Sequence, residues 1–330
     1  MNYALRLMLW LIAASMVLRI GSAEAGRVHR VAVVRHGPSI NNQPQVNGLR
    51  AGLEELRYNE GGNLLLKFVT DENLPLLRDR LRAELRRGDI DLIISLGTVE
   101  TAVARDVAGS VPIVFLPATD PVQSGFVSSL ATPRTNLTGL TYFIDSESVG
   151  KQLEVFKQVV PSLRHVLALT DGRPDGGMND QMRIKLKVAA ARLRVDLTEM
   201  AVTSAAAASN DLMSISKRPA GTGVFVVCTG LFRNLGNLAA ATAKLRASLF
   251  GCSAAQVAEQ SVLMTYAPDL YAIGYRGAWY VDRILKGTPP QALAVETPRK
   301  FDLVINRKAA QEIGLTLPPE MLMLADRVFD

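Results

Sequence analysis

Apolar residues occur along this chain in two alternating patterns. Short continuous runs end in glycine or polar residues, and longer segments between them repeat leucine or valine every three or four positions. The runs have the length of buried strands, and the segments have the period of amphipathic helices. In the first part of the chain the runs cover residues 31–34, 64–69, 92–96 and 111–116. Two strands joined by a helix form a parallel βαβ unit, so we expect a doubly wound α/β lobe here.

The same alternation restarts in the second part of the chain. The second series of predicted strands covers residues 165–170, 195–202, 224–228, 248–252, 262–266 and 301–305. A long amphipathic segment at 269–286 predicts a helix that ends at Gly287. A last helix is expected to carry Met321, Leu324 and Val328. The pattern therefore predicts two doubly wound, Rossmann-like lobes without a detectable sequence repeat.

The composition agrees with two globular lobes. The chain has 330 residues, of which 48% are hydrophobic and 21% are charged, and this length suits two lobes of about 100–150 residues each. The net charge of +6 is spread along the sequence, and its densest basic run, 78–87, alternates with Leu77, Leu81 and Leu85. That spacing favours a helix with a solvated basic face, because no aromatic residues or DNA-reading motif accompany it. We therefore expect no nucleic-acid partner.

The N-terminal segment has the features of a secretory signal peptide. Arg6 precedes an apolar run at 7–18, and Ala23-Glu24-Ala25 supplies a small-residue cleavage site. The run is shorter than the roughly 20 residues that a spanning helix needs, but Arg19 directly after it leaves a short uncleaved anchor as the alternative. We expect signal residues 1–25 to be removed and the mature protein to be periplasmic, without stable membrane insertion.

The two cysteines, Cys228 and Cys252, each end a predicted strand. Neighbouring parallel strands would bring them close enough for a disulfide in an oxidising compartment. Two buried free thiols are the alternative, and the sequence leaves both open.

The residue patterns of known catalytic and metal sites are missing from the sequence. The three histidines, His29, His36 and His165, lack the spacing of metal ligands, and there is no nucleophile elbow or phosphate-binding loop. Four aspartates could pair as general acid and base, but loop aspartates are more often turn or cap residues: Asp120, Asp145, Asp171 and Asp175. We therefore expect no enzyme activity, no catalytic residue and no metal or cofactor.

Polar residues follow two of the predicted strands at their carboxyl ends, where open α/β sheets bind ligands. Gly97-Thr98 and Thr119-Asp120 each follow a strand, and each is followed by helix-forming sequence. The free N–H groups and positive potential of a helix N-terminus suit the carboxylate of an amino-acid-like ligand. The alternative is structural, with Thr98 as an N-cap and Asp120-Pro121 as a turn.

Several longer segments resemble one protein family. The first three read GTVETAVA, VPIVFLPATDPVQSGFVSSLATPRTNLTGL and SVGKQLEVFKQVVPSLRHV. They resemble the ABC-transporter substrate-binding proteins that are related to the tryptophan- and tyrosine-binding ones. The segments LMTYAPDL, YVDRILKG and FDLVINRKAAQEIGLTLPPEML resemble the C-terminal blocks of the same family. The resemblance implies a type I periplasmic-binding-protein architecture, in which two lobes enclose a central cleft.

In that architecture the chain crosses between the lobes three times. The resemblance places the crossings near residues 138–143, 266–269 and 298–300. Lobe 1 would then contain residues 26–140 and about 268–298, and lobe 2 would contain residues 141–267 and about 299–330.

The resemblance also implies which residues bind the ligand. They come from the loop after the first strand, the two polar strand ends, the first crossing and strand ends of the second lobe. They are His36, Ser39, Asn42, Gly97, Thr98, Thr119, Asp120, Thr141, Tyr142, Asp171, Thr229 and Tyr266. The chain departs from the usual family pattern at Arg134-Thr135, at Ala267 and around 250–255. These positions lie at or near the crossings and the cleft, so the resemblance does not transfer the identity of the ligand.

We expect an exported, monomeric solute-binding protein that delivers a small molecule to the permease subunits of an ABC uptake transporter. An amino acid or an aromatic compound is the ligand that the resemblance suggests. Two alternatives share the same scaffold. One is a periplasmic sensor that presents its ligand to a receptor kinase, and the other is a hydrolase or isomerase.

Overall fold

The computed structural model describes residues 27–37, 42–143, 147–172, 180–215, 219–299 and 301–330. The predicted signal peptide and the predicted site residue Ser39 lie outside the described residues. The same is true of the loop aspartates Asp145 and Asp175.

The first four predicted strands form one parallel sheet together with a fifth strand. The strands are β1 (His29–His36), β2 (Leu64–Asp71), β3 (Leu92–Ser95), β4 (Ile113–Ala118) and β5 (Leu137–Thr141), in the order β2-β1-β3-β4-β5. Every neighbouring pair is parallel. Val31 to Val34 are 0% exposed, because helices cover both faces of the sheet. This explains why the strands are continuous apolar runs rather than alternating ones.

Three helices follow the first three strands. They are α1 (Asn42–Glu55), α2 (Leu74–Leu85) and α3 (Thr98–Val107). Leu77 and Leu81 of α2 are fully buried, while arginines on its other face form exposed ion pairs with acidic side chains. The prediction of a solvated basic face on this helix is therefore confirmed.

The chain after β4 differs from the prediction. The sequence predicts a helix after Thr119-Asp120, but the segment forms tight turns in which Asp120 Oδ1 accepts a hydrogen bond from Gln123 N at 3.0 Å. Pro121 O accepts from Phe126 N, and Gly125 has a φ of 66°. Residues 138–141, which were assigned only to a crossing, belong to β5. Gly125, with its left-handed backbone, ends the helical geometry about one turn after Asp120, so the segment stays a series of turns.

The second sheet has seven strands. They are β6 (His165–Asp171), β7 (Asp196–Val202), β8 (Thr222–Val226), β9 (Ser248–Gly251), β10 (Met264–Ala267), β11 (Asp302–Asn306) and β12 (Arg327–Phe329). Their order is β12-β11-β10-β9-β8-β6-β7, and all neighbours are parallel except β10 and β11. Val328 therefore lies in a short edge strand, and the prediction that placed it in the last helix is wrong. Asp326 N bonds Leu303 O at 2.8 Å and draws the chain end onto β11.

Eight helices complete the described part of the chain. They are α4 (Ser148–Val159), α5 (Asp180–Arg192), α6 (Ala205–Ser214), α7 (Gly236–Lys244), α8 (Ala254–Glu259), α9 (Leu270–Leu285), α10 (Arg307–Glu312) and α11 (Pro319–Leu324). Among the described helices, none combines the length and the apolar character needed to cross a membrane.

Helix α9 returns to the first sheet and packs along α1. The contact depends on glycines: a Cβ on Gly48 would lie 2.0 Å from Tyr271 O, and one on Gly274 would lie 1.9 Å from Gln45 O. We call the five-stranded sheet with α1–α3 and α9 lobe 1, and the seven-stranded sheet with the other helices lobe 2. The fold thus consists of two α/β lobes, each built on a sheet of mainly parallel strands, as the sequence predicts. The exact domain boundaries stay a prediction.

Replacing Gly274 by Ala should force α1 and α9 apart, because the backbone carbonyl of Gln45 cannot yield as a flexible side chain could. We expect a loss of about 1–3 kcal/mol in the free energy of unfolding, measured by urea denaturation. Gly62→Ala is the matched control, since its nearest atom would lie at 3.4 Å. Equal midpoints for the two variants would contradict this account of the helix contact.

Candidate ligand-binding site

A cavity lies between the two lobes at the carboxyl ends of β3, β4, β8 and β9. It measures about 580 Å³ when the solvent at its mouth is included. Its lining consists of Asn42, Gln45, Leu96, Gly97, Thr98, Pro117, Thr119, Tyr142, Cys228, Thr229, Gly230, Phe232, Arg233, Cys252 and Leu270. Both lobes therefore contribute to one site at the edge where parallel sheets bind ligands.

The N-termini of α1 and α3 meet at this cavity. Asn42 and Gln45 come from the first turn of α1, and Thr98 is the first residue of α3. The N-cap of α3 is Gly97, which has no side chain to bond the free N–H groups of the first turn. These N–H groups and the helix dipole leave positive potential in the cavity.

Thr98 and Thr119 form a hydroxyl pair on the lobe 1 wall. Thr98 Oγ1 accepts from Thr119 N at 2.9 Å and donates to Thr119 Oγ1 at 3.2 Å. A threonine hydroxyl has one proton, so that of Thr98 is used within the pair. The proton of the Thr119 hydroxyl remains available to a molecule in the cavity.

Asn42 presents a buried acceptor. Its side-chain Nδ2 donates to Gln45 Oε1 at 3.2 Å, and Gln45 Nε2 donates to Leu116 O at 3.0 Å. These two hydrogen bonds fix the orientation of both side-chain amides, because the backbone carbonyl of Leu116 can only accept. Asn42 is 4% exposed, and its Oδ1 has no hydrogen-bond partner within the described part of the chain. A buried acceptor of this kind is costly unless a ligand or water supplies a donor.

An ion pair between Glu100 and Arg233 joins the lobes beside the cavity. Arg233 Nη2 donates to Glu100 Oε2 at 2.8 Å, and Nη1 donates to Oε1. Glu100 Oε1 also accepts from His36 N at 2.9 Å. Glu100 is 0% exposed and the Arg233 side chain is 16% exposed. Burial alone would lower the pKa of Arg233, but the charge and hydrogen bonds of Glu100 raise it, so the guanidinium stays charged.

Neither Glu100 nor Arg233 is among the residues that the sequence pattern predicts for the site. One signal was present: Glu100 shares the apolar stripe of α3 with Val103 and Ala104, at helical spacing. A carboxylate on a buried helix face needs a cation or hydrogen-bond donors beside it, because burying an unpaired charge is costly. The position of that partner, Arg233, follows from the tertiary fold and has no local sequence signature.

The lobe 2 wall is built around a disulfide. Cys228 and Cys252 follow the parallel neighbours β8 and β9 and are bonded to each other, with their Cα atoms 5.3 Å apart. Of the two alternatives for the cysteines, the structure therefore has the disulfide. Thr229, next to Cys228, donates to Asp171 Oδ2 at 3.2 Å. The Tyr142 hydroxyl donates to Cys252 O, and burial raises the pKa of that hydroxyl.

Six of the predicted ligand-binding residues line the cavity. These residues are Asn42, Gly97, Thr98, Thr119, Tyr142 and Thr229. No ligand is present to test their role, which stays a prediction.

The other described members of the predicted set do not line the cavity. His36 bonds Glu72 O through Nε2 at 2.7 Å. Thr141 donates to Phe143 O at 2.6 Å, and Asp171 lies behind Thr229. Asp120 caps the turn after β4, as the structural alternative in the sequence analysis proposed. The ring of Tyr266 packs on Phe301 at 5.4 Å between centroids.

A second cavity lies beside the crossing at Ala267 to Asp269 and is larger, about 1,000 Å³ including open solvent. Helices α8 and α9 begin at its edge, but the N–H groups there are already bonded by the side chains of Ser253 and Asp269. The first cavity is the better candidate site, because the α3 N-terminus there has no side-chain cap and the buried Oδ1 of Asn42 has no hydrogen-bond partner in the described ranges. The described residues contain no group of three or more metal-binding side chains.

Replacing Glu100 by Gln should open the cleft. The change leaves the Arg233 charge without its counter-ion, and breaking a buried pair costs about 3–5 kcal/mol when the remaining charge stays buried. Lobe separation returns Arg233 to water, so we expect a larger radius of gyration by small-angle X-ray scattering and retained folding by circular dichroism. Glu60→Gln, which breaks the exposed Arg50 pair, is the control. An unchanged radius for Glu100→Gln would contradict the role of the pair.

The chain matches a protein-family model over nearly its whole length and a curated protein over part of it. Residues 30–329 match the family model described as ABC transporter substrate binding protein. A tyrosine-binding protein of Clostridioides difficile strain R20291 is 27% identical over 134 residues, which are 41% of this chain and 37% of that protein. The alignment therefore spans little more than a third of that relative.

Solved structures share the whole architecture. A conserved domain protein from Vibrio cholerae has a TM-score of 0.82 at 25% identity, covering 92% of this chain and 100% of that one. The ABC domain in complex with L-Trp from Streptococcus pneumonia has a TM-score of 0.81 at 20% identity, with the same coverage. These matches show the type I periplasmic-binding fold. Because the family model covers nearly the whole described chain, the protein belongs to the ABC transporter substrate-binding protein family.

Proposed function

We propose that this substrate-binding protein takes up an aromatic amino acid between its lobes and delivers it to the permease subunits of an ABC transporter in the periplasm. The observation that carries the proposal is the buried Oδ1 of Asn42, which has no hydrogen-bond partner among the described residues, beside the α3 N-terminus that lacks a side-chain cap. Together they offer one site for an ammonium group and one for a carboxylate.

The ammonium group is assigned to Asn42. Its Oδ1 is an acceptor fixed in orientation by Gln45, and Asn42 itself is largely shielded from water at 4% exposure. A charged donor forms a stronger hydrogen bond with such an acceptor than a neutral one does.

The carboxylate is assigned to the start of α3. The hydroxyl proton of Thr119 and the uncapped N–H groups after Gly97 are donors on the same wall. Arg233 is the one charged side chain among the described lining residues, and Glu100 neutralises most of its charge. A nearly neutral site favours a zwitterion over an ion of single charge.

The side chain of the amino acid is assigned to the apolar walls. Leu96 and Pro117 come from lobe 1, Phe232 from lobe 2, and Tyr142 from the first crossing. Aromatic surfaces and a prolyl ring are suited to a flat ring. The relatives that bind tyrosine and L-Trp support an aromatic ligand.

Family membership and the two-lobed form, which would close around the ligand, support delivery to a permease. The signal-like N-terminus supports export.

L-Tryptophan and L-tyrosine should raise the melting temperature of the purified protein. At a hundred times the dissociation constant a ligand stabilises by roughly 2.7 kcal/mol, which is a shift of a few degrees. A panel of aliphatic amino acids, sugars and polyamines should give smaller shifts. A sugar or a polyamine as the strongest stabiliser would exclude the amino-acid assignment, and L-leucine would exclude the aromatic one.

Asn42→Ala should lower the affinity for L-tryptophan about ten- to a hundred-fold in isothermal titration calorimetry, because a charge-assisted hydrogen bond contributes about 1.5–3 kcal/mol. Indole-3-propionate, which lacks the ammonium group, should bind the wild type and the variant equally. Gln43→Ala is the control, since Gln43 is exposed and bonds only Asn47 among the described side chains. An equal loss with both ligands would show that Asn42 does not bind the ammonium group.

A further inference from the structure

The Cys228–Cys252 disulfide is part of the cavity wall and not a cross-link remote from the site. Both cysteines line the cavity, and they are only 4% and 6% exposed. They stand at the carboxyl ends of two adjacent strands of lobe 2, 24 residues apart in sequence. The bond therefore fixes the relative position of two strand-end loops that line the cavity.

The loop after Cys228 carries the lobe 2 side of the closure contact. Within it, Arg233 Nε donates to Gly230 O at 2.9 Å before its two terminal nitrogens reach Glu100 of lobe 1. Arg233 is five residues from Cys228, so the disulfide anchors the start of the segment that presents the guanidinium.

The Cys252 end of the disulfide is held in place by two hydrogen bonds of the Gln256 side chain. Cys252 N donates to Gln256 Oε1 at 2.7 Å, and Gln256 Nε2 donates to Phe232 O at 2.7 Å. The Tyr142 hydroxyl reaches Cys252 O from the first crossing. Without the disulfide, Gln256 would keep the loop attached at Phe232, so a partial loss of order is expected rather than unfolding of lobe 2.

We propose that the Cys228–Cys252 disulfide positions the ligand-binding loop of lobe 2, so that the protein binds its amino acid tightly only in the oxidised state. This proposal rests on the proposed function for its ligand. Reduction by a dithiol transfers two electrons and two protons to the bond, which gives two cysteine thiols, while the dithiol becomes a disulfide. The ligand and the disulfide are then linked: if reduction weakens ligand binding, the ligand makes the bond harder to reduce by the same factor.

The binding test compares oxidised protein, dithiol-reduced protein and the double variant Cys228→Ser/Cys252→Ser with L-tryptophan as the probe. The chain has only two cysteines, so a reductant acts on this bond alone. We expect the reduced protein and the double variant to bind about tenfold more weakly, with circular dichroism showing that both are folded. We also expect L-tryptophan to raise the dithiol concentration needed for half-reduction. Equal affinity in all three forms would overturn the proposal.

A second measurement needs no ligand. Trypsin cleavage after Arg233 should be about tenfold faster in the reduced protein, because the released loop exposes a side chain that is paired in the oxidised form. Cleavage after Arg57, in an exposed turn of lobe 1, is the internal control and should not change. If the oxidised protein binds no amino acid, the proposed function fails, and the trypsin result still decides the role of the disulfide. Equal cleavage after Arg233 in both states would overturn it.

Discussion

The buried ion pair between Glu100 and Arg233 is the contact on which the closed arrangement of the two lobes depends. Neither charge could be removed from water at an acceptable cost without the other, so the pair forms only when the carboxyl ends of the two sheets face each other closely. Its surroundings are adapted to it. A Cβ on Gly97 would lie 2.5 Å from Glu100 Oε2, and the backbone N–H of His36 supplies a further donor to the same carboxylate.

The rest of the fold holds this contact in place from both sides. In lobe 1, the close approach of α1 and α9 at Gly274 sets the position of Gln45, which orients the amide of Asn42. In lobe 2, Gln256 and the disulfide fix the loop that carries Arg233. Polar groups for a ligand therefore stand on rigid strand ends and helix starts, which is how small-molecule sites achieve a preformed geometry. On the lobe 1 wall the acceptor of Asn42 and the donors of Thr119 and α3 are thus held at separate points of one cavity.

Much of the architecture could be predicted from the sequence because it depends on local patterns. Buried runs such as 31–34 have to be strands in a covered parallel sheet, and polar strand ends such as Gly97-Thr98 have to face its binding edge. The sequence pattern does not predict β5 and β12. Both strands are short, and their pairing is decided by the strands that lie next to them in the folded protein. The partner of Glu100 and the choice between thiols and a disulfide depend on distances across the fold, which no local pattern contains.

The most direct test of the central claim is a crystal structure of the protein grown with L-tryptophan. We predict the ligand between the lobes, with its ammonium nitrogen about 2.7–3.2 Å from Asn42 Oδ1 and its carboxylate at Thr119 and the start of α3. The Glu100–Arg233 pair should be intact beside it. A ligand in the cavity beside Ala267 to Asp269, or one whose ammonium group points away from Asn42, would contradict the account.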